Sequence, residues 1–426
     1  MEIKTYNYPN KTDWELIQRR PELDMTSLFE TVQAVINEVR TNGDEAVRRY
    51  GEQFDNVYVA DLQVSEHEIH EAEATLTSEL KQAILTAYQN IEKFHAAQRF
   101  EELTVETTTG VICRQKSVAI EKVGLYIPGG TAPLFSTVLM LAAPAKIAGC
   151  KEIVLCTPPN REGRVHPAIL FTAKVSGISK VYKVGGIQAI AALTYGTQSI
   201  PKVFKIFGPG NQYVVAAKQI VSLKDVAIDM PAGPSEVAII ADAQANPKYI
   251  AADFLSQAEH GADSQSVLVT TSEALAEVVK KEIANQLSML PRRYFTEKSL
   301  SHSFMVILRD DAEMIDFTNQ YAPEHLIIQT ANYKEISKNI TNAGSVFLGA
   351  WTPESAGDYA SGTNHTLPTK GYAKMYSGVN LDSFVKKITF QEITKEGLQL
   401  LGPTIEIMAE AELLKAHKTA VSIRIS

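Results

Sequence analysis

Cysteine is scarce in this chain of 426 residues: Cys113, Cys150 and Cys156 are the only three. Three scattered thiols exclude a disulfide framework and a Cys-rich zinc knot, so any metal must be held by nitrogen and oxygen ligands. Positive charge is in deficit as well, with 41 Lys plus Arg against 49 Asp plus Glu and a formal net charge of -8. Binding to a phosphate backbone needs the opposite balance, which removes nucleic acid as a leading partner. Long apolar runs are missing: the longest, "STVLMLAAPAKIAGC", is cut by Pro144 and Lys146, and the first residues hold nothing of signal-peptide length. The expectation is a soluble, cytoplasmic protein with no membrane partner. Neither G-x-G-x-x-G nor H-E-x-x-H is present, so a standard dinucleotide fingerprint and the common zinc-protease helix are both absent.

What is present is enough apolar sequence, 45% of residues, for more than one core, and at least two lobes are expected. The first hundred residues repeat apolar positions at helical spacing and read as helices cladding a sheet. From Lys151 short β-branched runs alternate with helical stretches ("KEIVLCTPP", "KVYKVGG", "IQAIAALTYG", "KVFKIFGPGN", "QYVVAAKQIV"), the pattern of parallel βα units. A second set of strands is expected at "EVAIIAD", "SVLVTT", "FMVILRD", "HLIIQT" and "SVFLGA". The fold class is therefore α/β, with two doubly wound, incomplete Rossmann-like parallel-sheet lobes and small helical extensions at both ends. The expected partition is an N-terminal extension 1–24, a first lobe of 25–125 with 237–380, a second lobe 126–236, and a C-terminal extension 381–426. The tail "TIEIMAEAELLKAHKTAVSIR" reads as a lone amphipathic helix whose apolar face must be buried somewhere, another subunit being one place.

Glycine turns follow the strands at "YIPGGTAP", "VGGIQA" and "GPGNQY". Such turns let backbone N–H groups approach a phosphate, but tight βα connections use the same residues, and each turn taken alone supports either reading. Of nine histidines, His67 and His70 sit in an acidic, solvated helix, and His95, His166 and His302 lack a polar constellation. Gln257 and His260 in "SQAEHGAD" stand at i and i+3, the spacing by which one helix face offers two ligands to one metal, although paired polar residues on helices are common without one. Asp358, in "ESAGDYASG", is either a turn aspartate or the carboxylate that completes a site. Glu324 and His325, after Pro323 and before an apolar strand, form a ready acid/base pair. Cys150 and Cys156 lie in apolar surroundings and read as buried fillers, and Cys113 as structural.

Taken together, "VGLYIPGGTAPLFSTVLMLAAPA", "VGGIQAIAALTYGT", "GPGNQYVVAAK", "DMPAGPSEV", "SQAEHGADSQ", "YAPEHL", "GDYASGTNHTLPT" and "AELLKAHKTAVSIR" resemble histidinol dehydrogenase, in order, from about residue 120 to the end. The resemblance implies a zinc-dependent, NAD-linked oxidation of L-histidinol to L-histidine through a bound aldehyde, by a homodimer whose active sites are shared. It implies zinc ligands at Gln257, His260, Asp358 and His417, the last from the partner subunit. Ser235, His325, His365 and Glu412 are implied to contact substrate, together with the zinc ligands, and Tyr126, Gln188 and Asn211 to contact NAD. His325 and Glu324 are the implied acid/base pair. Two rival classes use the same residues: a zinc hydrolase and a two-lobed small-molecule binding protein.

Overall fold

The computed structural model describes residues 3–21, 26–129, 132–231, 233–291 and 293–426. In chain order the strands are β1 (Lys4–Asn7), β2 (Leu103–Thr108), β3 (Val111–Ala119), β4 (Lys122–Tyr126), β5 (Glu152–Thr157), β6 (Lys180–Lys183) and β7 (Lys205–Phe207). They continue with β8 (Ala227–Ile228), β9 (Glu236–Ala241), β10 (Gln265–Thr270), β11 (Phe304–Ile307), β12 (His325–Gln329), β13 (Ser345–Leu348) and β14 (Val385–Ile393). A six-stranded sheet has the order β1-β11-β10-β9-β12-β13 and a five-stranded sheet the order β6-β5-β4-β7-β8. Both are parallel throughout. The two-lobed α/β expectation is therefore met, and the five strands expected from "EVAIIAD" to "SVFLGA" are β9 to β13.

Period-two alternation explains why each sheet is clad on both faces. From the six-stranded sheet, Val237, Ile239, Leu268, Met305 and Ile327 pack on helices Pro247–Ala258, Glu273–Leu287 and Arg293–Leu300. The residues between them, Ala238, Ile240, Val267, Val306, Leu326 and Ile328, face Trp14, Phe317 and Tyr321. A strand buried on both faces must be apolar at every position, which is why these segments read as continuous runs.

Three expectations about organisation are corrected. β1 pairs with β11, so residues assigned to an N-terminal extension supply an edge strand of the six-stranded sheet; the boundary drawn at residue 24 falls outside the described residues. Residues 25–125 do not group with 237–380: Val32, Ile36, Val39 and Val47, from helices Thr26–Asn42 and Asp44–Asp55, share a core with Val154 and Ile206 of the five-stranded sheet and with Ile190 of helix Gly186–Tyr195, and β4 is that sheet's middle strand. Apolar periodicity shows that a helix covers a sheet without showing which one. The tail is not a lone helix: β14 pairs with β3 in a three-stranded antiparallel sheet, and helices Lys395–Ala411 and Lys415–Ile425 follow, broken near Leu413 at φ 62°.

Turns at the carboxyl ends of β4, β6 and β7 converge. A Cβ on Gly185 would lie 2.5 Å from Pro158 Cβ, and one on Gly208, at φ +125°, would lie 2.0 Å from the Tyr126 carbonyl oxygen. These glycines are required first by backbone packing. The Gly208 turn is pinned from below: Lys218 Nζ donates to the Gly208 carbonyl (2.8 Å) and to Asp229, whose side chain is 2% exposed and whose other oxygen accepts from Gly208 N–H at 2.8 Å. Gly130 and Thr131 of "YIPGGTAP" and Ala232 of "DMPAGPSEV" lie outside the described residues.

Candidate active site

His325 opens β12, and Glu324 precedes it. The pair thus sits at the amino edge of the six-stranded sheet, not at the carboxyl edge where parallel α/β sheets usually bind ligands. Helix Pro247–Ala258 returns its C-terminal end to this edge, and the short helix Glu354–Tyr359 packs against it. Ser235, half-buried, immediately precedes β9 there.

Around His325, which is 4% exposed, three carboxylates converge. Its Nδ1 is 3.7 Å from both Glu324 Oε2 and Glu354 Oε1, and its Nε2 is 3.4 Å from Asp358 Oδ1. Burial by itself would lower the imidazole pKa, but Glu354, Glu324 and Asp358 outweigh it and hold it at about 10. Burial pushes Glu324 up to about 8 and Glu354 well above the carboxylate range. Asp358 goes the other way: burial opposes, but the adjacent His325 holds its carboxyl below the ordinary value. His365 joins the cluster, its Nδ1 2.8 Å from the Asp358 carbonyl and its Nε2 3.0 Å from Thr137 Oγ1, and burial lowers its pKa.

Gln257 and His260 do not lie side by side on a helix face. The helix ends at Ala258, so Gln257 is completely buried in its last turn while His260 lies exposed in the turn beyond, its N–H bonded to the Gln257 carbonyl at 3.2 Å. The outcome still serves a metal: ligand atoms of His260, Glu354 and Asp358 lie within 4.8 Å of one another. Among the described residues, neither polar atom of the Gln257 amide and neither oxygen of Glu354 has a hydrogen-bond partner. Buried polar groups left without partners cost free energy unless something completes them, and an imidazole, an amide oxygen and carboxylates suit a zinc-like ion.

Glu354 was not anticipated, although it stands four residues before Asp358 in "PESAGDY", the spacing that puts two carboxylates on one helix face. Asp253, four before Gln257, was missed too: it is buried, accepts from Gln329 Nε2 at 2.8 Å, and burial lifts its pKa to about 7. Glu412 and His417 are not brought to this site within the chain. Glu412 caps the end of one terminal helix and His417 lies in the next, both exposed.

At the carboxyl edge of the five-stranded sheet lies a cavity of about 1150 Å³, lined in part by Phe54, Asp55, Tyr126, Pro158, Asn211 and Tyr213. Asn211 caps helix Gln212–Ser222. Tyr126 accepts from Gly186 N–H at 3.1 Å. Gln188 is fully buried beneath, its amide nitrogen 3.4 Å from Asp55, and among the described residues its amide oxygen has no partner. Ala132 and Pro133, which line the cavity, lead into helix Phe135–Ala148, and that helix receives both His365 at Thr137 and the Asn364 amide at the Met140 carbonyl (2.6 Å).

Of the set-aside residues, Cys156 is buried as expected, whereas Cys150 is half-buried and His95 has polar partners. His67 is exposed beside Glu71, and His166 caps helix Pro167–Val175. His95 is buried against Gln98 and Asn364. Burial pushes the Cys150 thiol up to about 12 and raises that of Cys156 further, leaving neither a ready thiolate.

Two parallel sheets, a large strand-end cavity and a buried histidine–carboxylate cluster define an α/β enzyme. The family model described as "Histidinol dehydrogenase" matches residues 18–425. The histidinol dehydrogenase of Bacteroides thetaiotaomicron is 62% identical over 424 residues, covering 100% of this chain and 99% of its own. That of Bacteroides fragilis is 62% identical over 423, covering 99% of each. A crystal structure of histidinol dehydrogenase from Elizabethkingia anophelis superimposes with a TM-score of 0.98 at 54% identity, covering 99% of this chain and 98% of that one. The chain belongs to the histidinol dehydrogenase family and is an oxidoreductase, which sets aside the hydrolase and binding-protein readings.

Proposed function

We propose that the chain oxidises L-histidinol to L-histidine in two NAD-linked steps through a bound aldehyde, with zinc, as a cytoplasmic homodimer in histidine biosynthesis. The observation that carries this reading is the cluster of His260, Glu354 and Asp358 beside His325, with the unpartnered Gln257 amide in the adjoining helix turn. Gln257, His260 and Asp358 are the in-chain ligands, and bound zinc and NAD supply substrate positioning and hydride acceptance respectively. Tyr126, Gln188 and Asn211 belong to the NAD side. The cavity exceeds the ~300–1000 Å³ of ordinary small-ligand sites, and the buried Gln188 oxygen lacks a donor among the described residues.

With Asp358 engaged as a ligand, His325 loses one of the carboxylates that hold its proton, and its imidazole can accept the proton of the alcohol. Glu324 accepts a proton from the water that adds to the aldehyde. Ser235 and His365 orient the substrate. Glu412 and His417 act from the partner subunit. In support, the C-terminal arm leaves Leu400, Ile407, Met408, Leu413 and Ile423 between 61% and 89% exposed, apolar side chains that a second subunit would cover.

The test is NADH formed per molecule of limiting L-histidinol by the zinc-loaded protein. Two NADH, lost after chelation, are expected; no NADH refutes the reading.

A further inference from the structure

One residue, Glu236, touches both members of the acid/base pair through its own peptide groups. Its N–H donates to Glu324 Oε2 at 2.9 Å, and its carbonyl lies 3.3 Å from His325 Nδ1. A carbonyl only accepts, so this contact is a hydrogen bond when Nδ1 carries the proton, which leaves Nε2, on the Asp358 side, as the basic nitrogen. The placement of Glu236 therefore sets the orientation of both groups. Its position at the start of β9 is held by ladder pairing on one side only, opposite Gln265 of β10.

The rest of its anchoring comes from far away in sequence. The Arg20 guanidinium makes a two-pronged contact with the Glu236 carboxylate, Nε to Oε1 at 2.6 Å and Nη2 to Oε2 at 2.7 Å. Nη2 also donates to the Tyr321 carbonyl at 2.7 Å, and the guanidinium lies 4.0 Å from the Tyr321 ring centre. Glu236 Oε1 accepts in addition from Lys370 N–H at 2.6 Å, and the Tyr321 hydroxyl donates to Gln265 Oε1 at 2.7 Å. Glu236 is 2% exposed. A planar fork fixes a carboxylate in both distance and rotation, which a lysine ammonium cannot do.

We infer that Arg20 is a positioning residue of the active site, acting through Glu236 to hold Glu324 and His325 in register. The inference rests on the acid/base role given above to that pair, and it assigns a catalytic consequence to the N-terminal segment. Among the described residues, the hydrogen bonds of Arg20 and Glu236 outside the strand ladder go to Tyr321, Glu324, His325 and Lys370 and to each other, not to His260, Glu354 or Asp358.

The experiment uses the full-length, zinc-loaded protein and two variants. Arg20→Lys keeps the charge and loses the fork; the double variant Arg20→Met/Glu236→Gln leaves neither charge buried alone and serves if the first does not fold. Expected is a fall in kcat of about a hundredfold, with KM for L-histidinol within about twofold and zinc content unchanged, as for a slight misplacement of reacting groups. The imidazole ¹⁵N signals of His325, assigned by their loss in His325→Asn, should move in the same variants. A purely structural Arg20 would lower thermal stability while leaving kcat per zinc-loaded site and the His325 signals at wild-type values, and that result overturns the inference. Wild-type protein that does not turn over L-histidinol would refute the proposed function instead, and the His325 signals would still decide the positioning claim.

Discussion

Asp253 makes the sharpest test of the buried site because its environment is simple. It is 6% exposed, among the described residues its carboxylate accepts a hydrogen bond from Gln329 alone, and burial lifts its carboxyl from 3.8 to about 7 against the opposing pull of that bond. Below about pH 4 both folded and unfolded chains hold the proton, and Asp253 costs nothing. Between about 4 and 7 the unfolded chain releases the proton while the folded chain keeps it, so the stability present at low pH is lost as pH rises through the folded pKa. At ~1.4 kcal/mol per tenfold change in proton affinity, the full penalty is about 4 kcal/mol, of which about 2.5 kcal/mol falls between pH 5 and 8. Asp253→Asn does not titrate and still offers an oxygen to Gln329. Relative to wild type, the variant should therefore gain about 2.5 kcal/mol from pH 5 to pH 8. The assay is urea unfolding of both proteins at a series of pH values, with metal removed by chelation so that no nearby cation favours the ionised form. A stability difference constant across that range would refute the reasoning.

Other expectations follow from the same geometry. Alanine at His260 or Asp358 should remove bound zinc and activity together, measured by metal analysis of the folded protein; full zinc occupancy would show the ligand assignment to be wrong. Gly208→Ala places a methyl group 2.0 Å from the Tyr126 carbonyl at a positive φ, and should cost at least ~1–3 kcal/mol in thermal unfolding and weaken NAD binding by calorimetry. Mixing His417→Ala with His260→Ala subunits should restore roughly a quarter of the sites if His417 crosses to the partner, since half the dimers are mixed and each carries one intact site. No recovery after verified exchange counts against a shared site.

Much of the strand layout was legible because a strand buried on both faces has to be apolar along its length, and "EVAIIAD" or "SVLVTT" have few other places to go. The acid/base candidates were legible for a related reason: Glu324 and His325 abut the apolar β12, where charged groups need a purpose. Less could be read where a residue's partner is remote. Nothing near Arg20 in sequence announces Glu236, and Glu354 reads as an ordinary helix-start glutamate until Asp358 and His260 arrive beside it. Local pattern also misled at the C terminus, where one amphipathic stretch is two helices broken near Leu413.

The sequence by itself determined the class of the molecule, since composition, period and ordered motifs each report on short-range physics: which face is buried, where a turn must bend, which side chains can ligate. Tertiary structure alone decided which sheet each early helix covers, that the His325 cluster lies at the amino edge of its sheet, and that three carboxylates surround one imidazole there. Those facts depend on contacts between segments remote in sequence, such as the core that Val32 shares with Ile206, and on a burial that changes proton affinity only after the chain has closed around it.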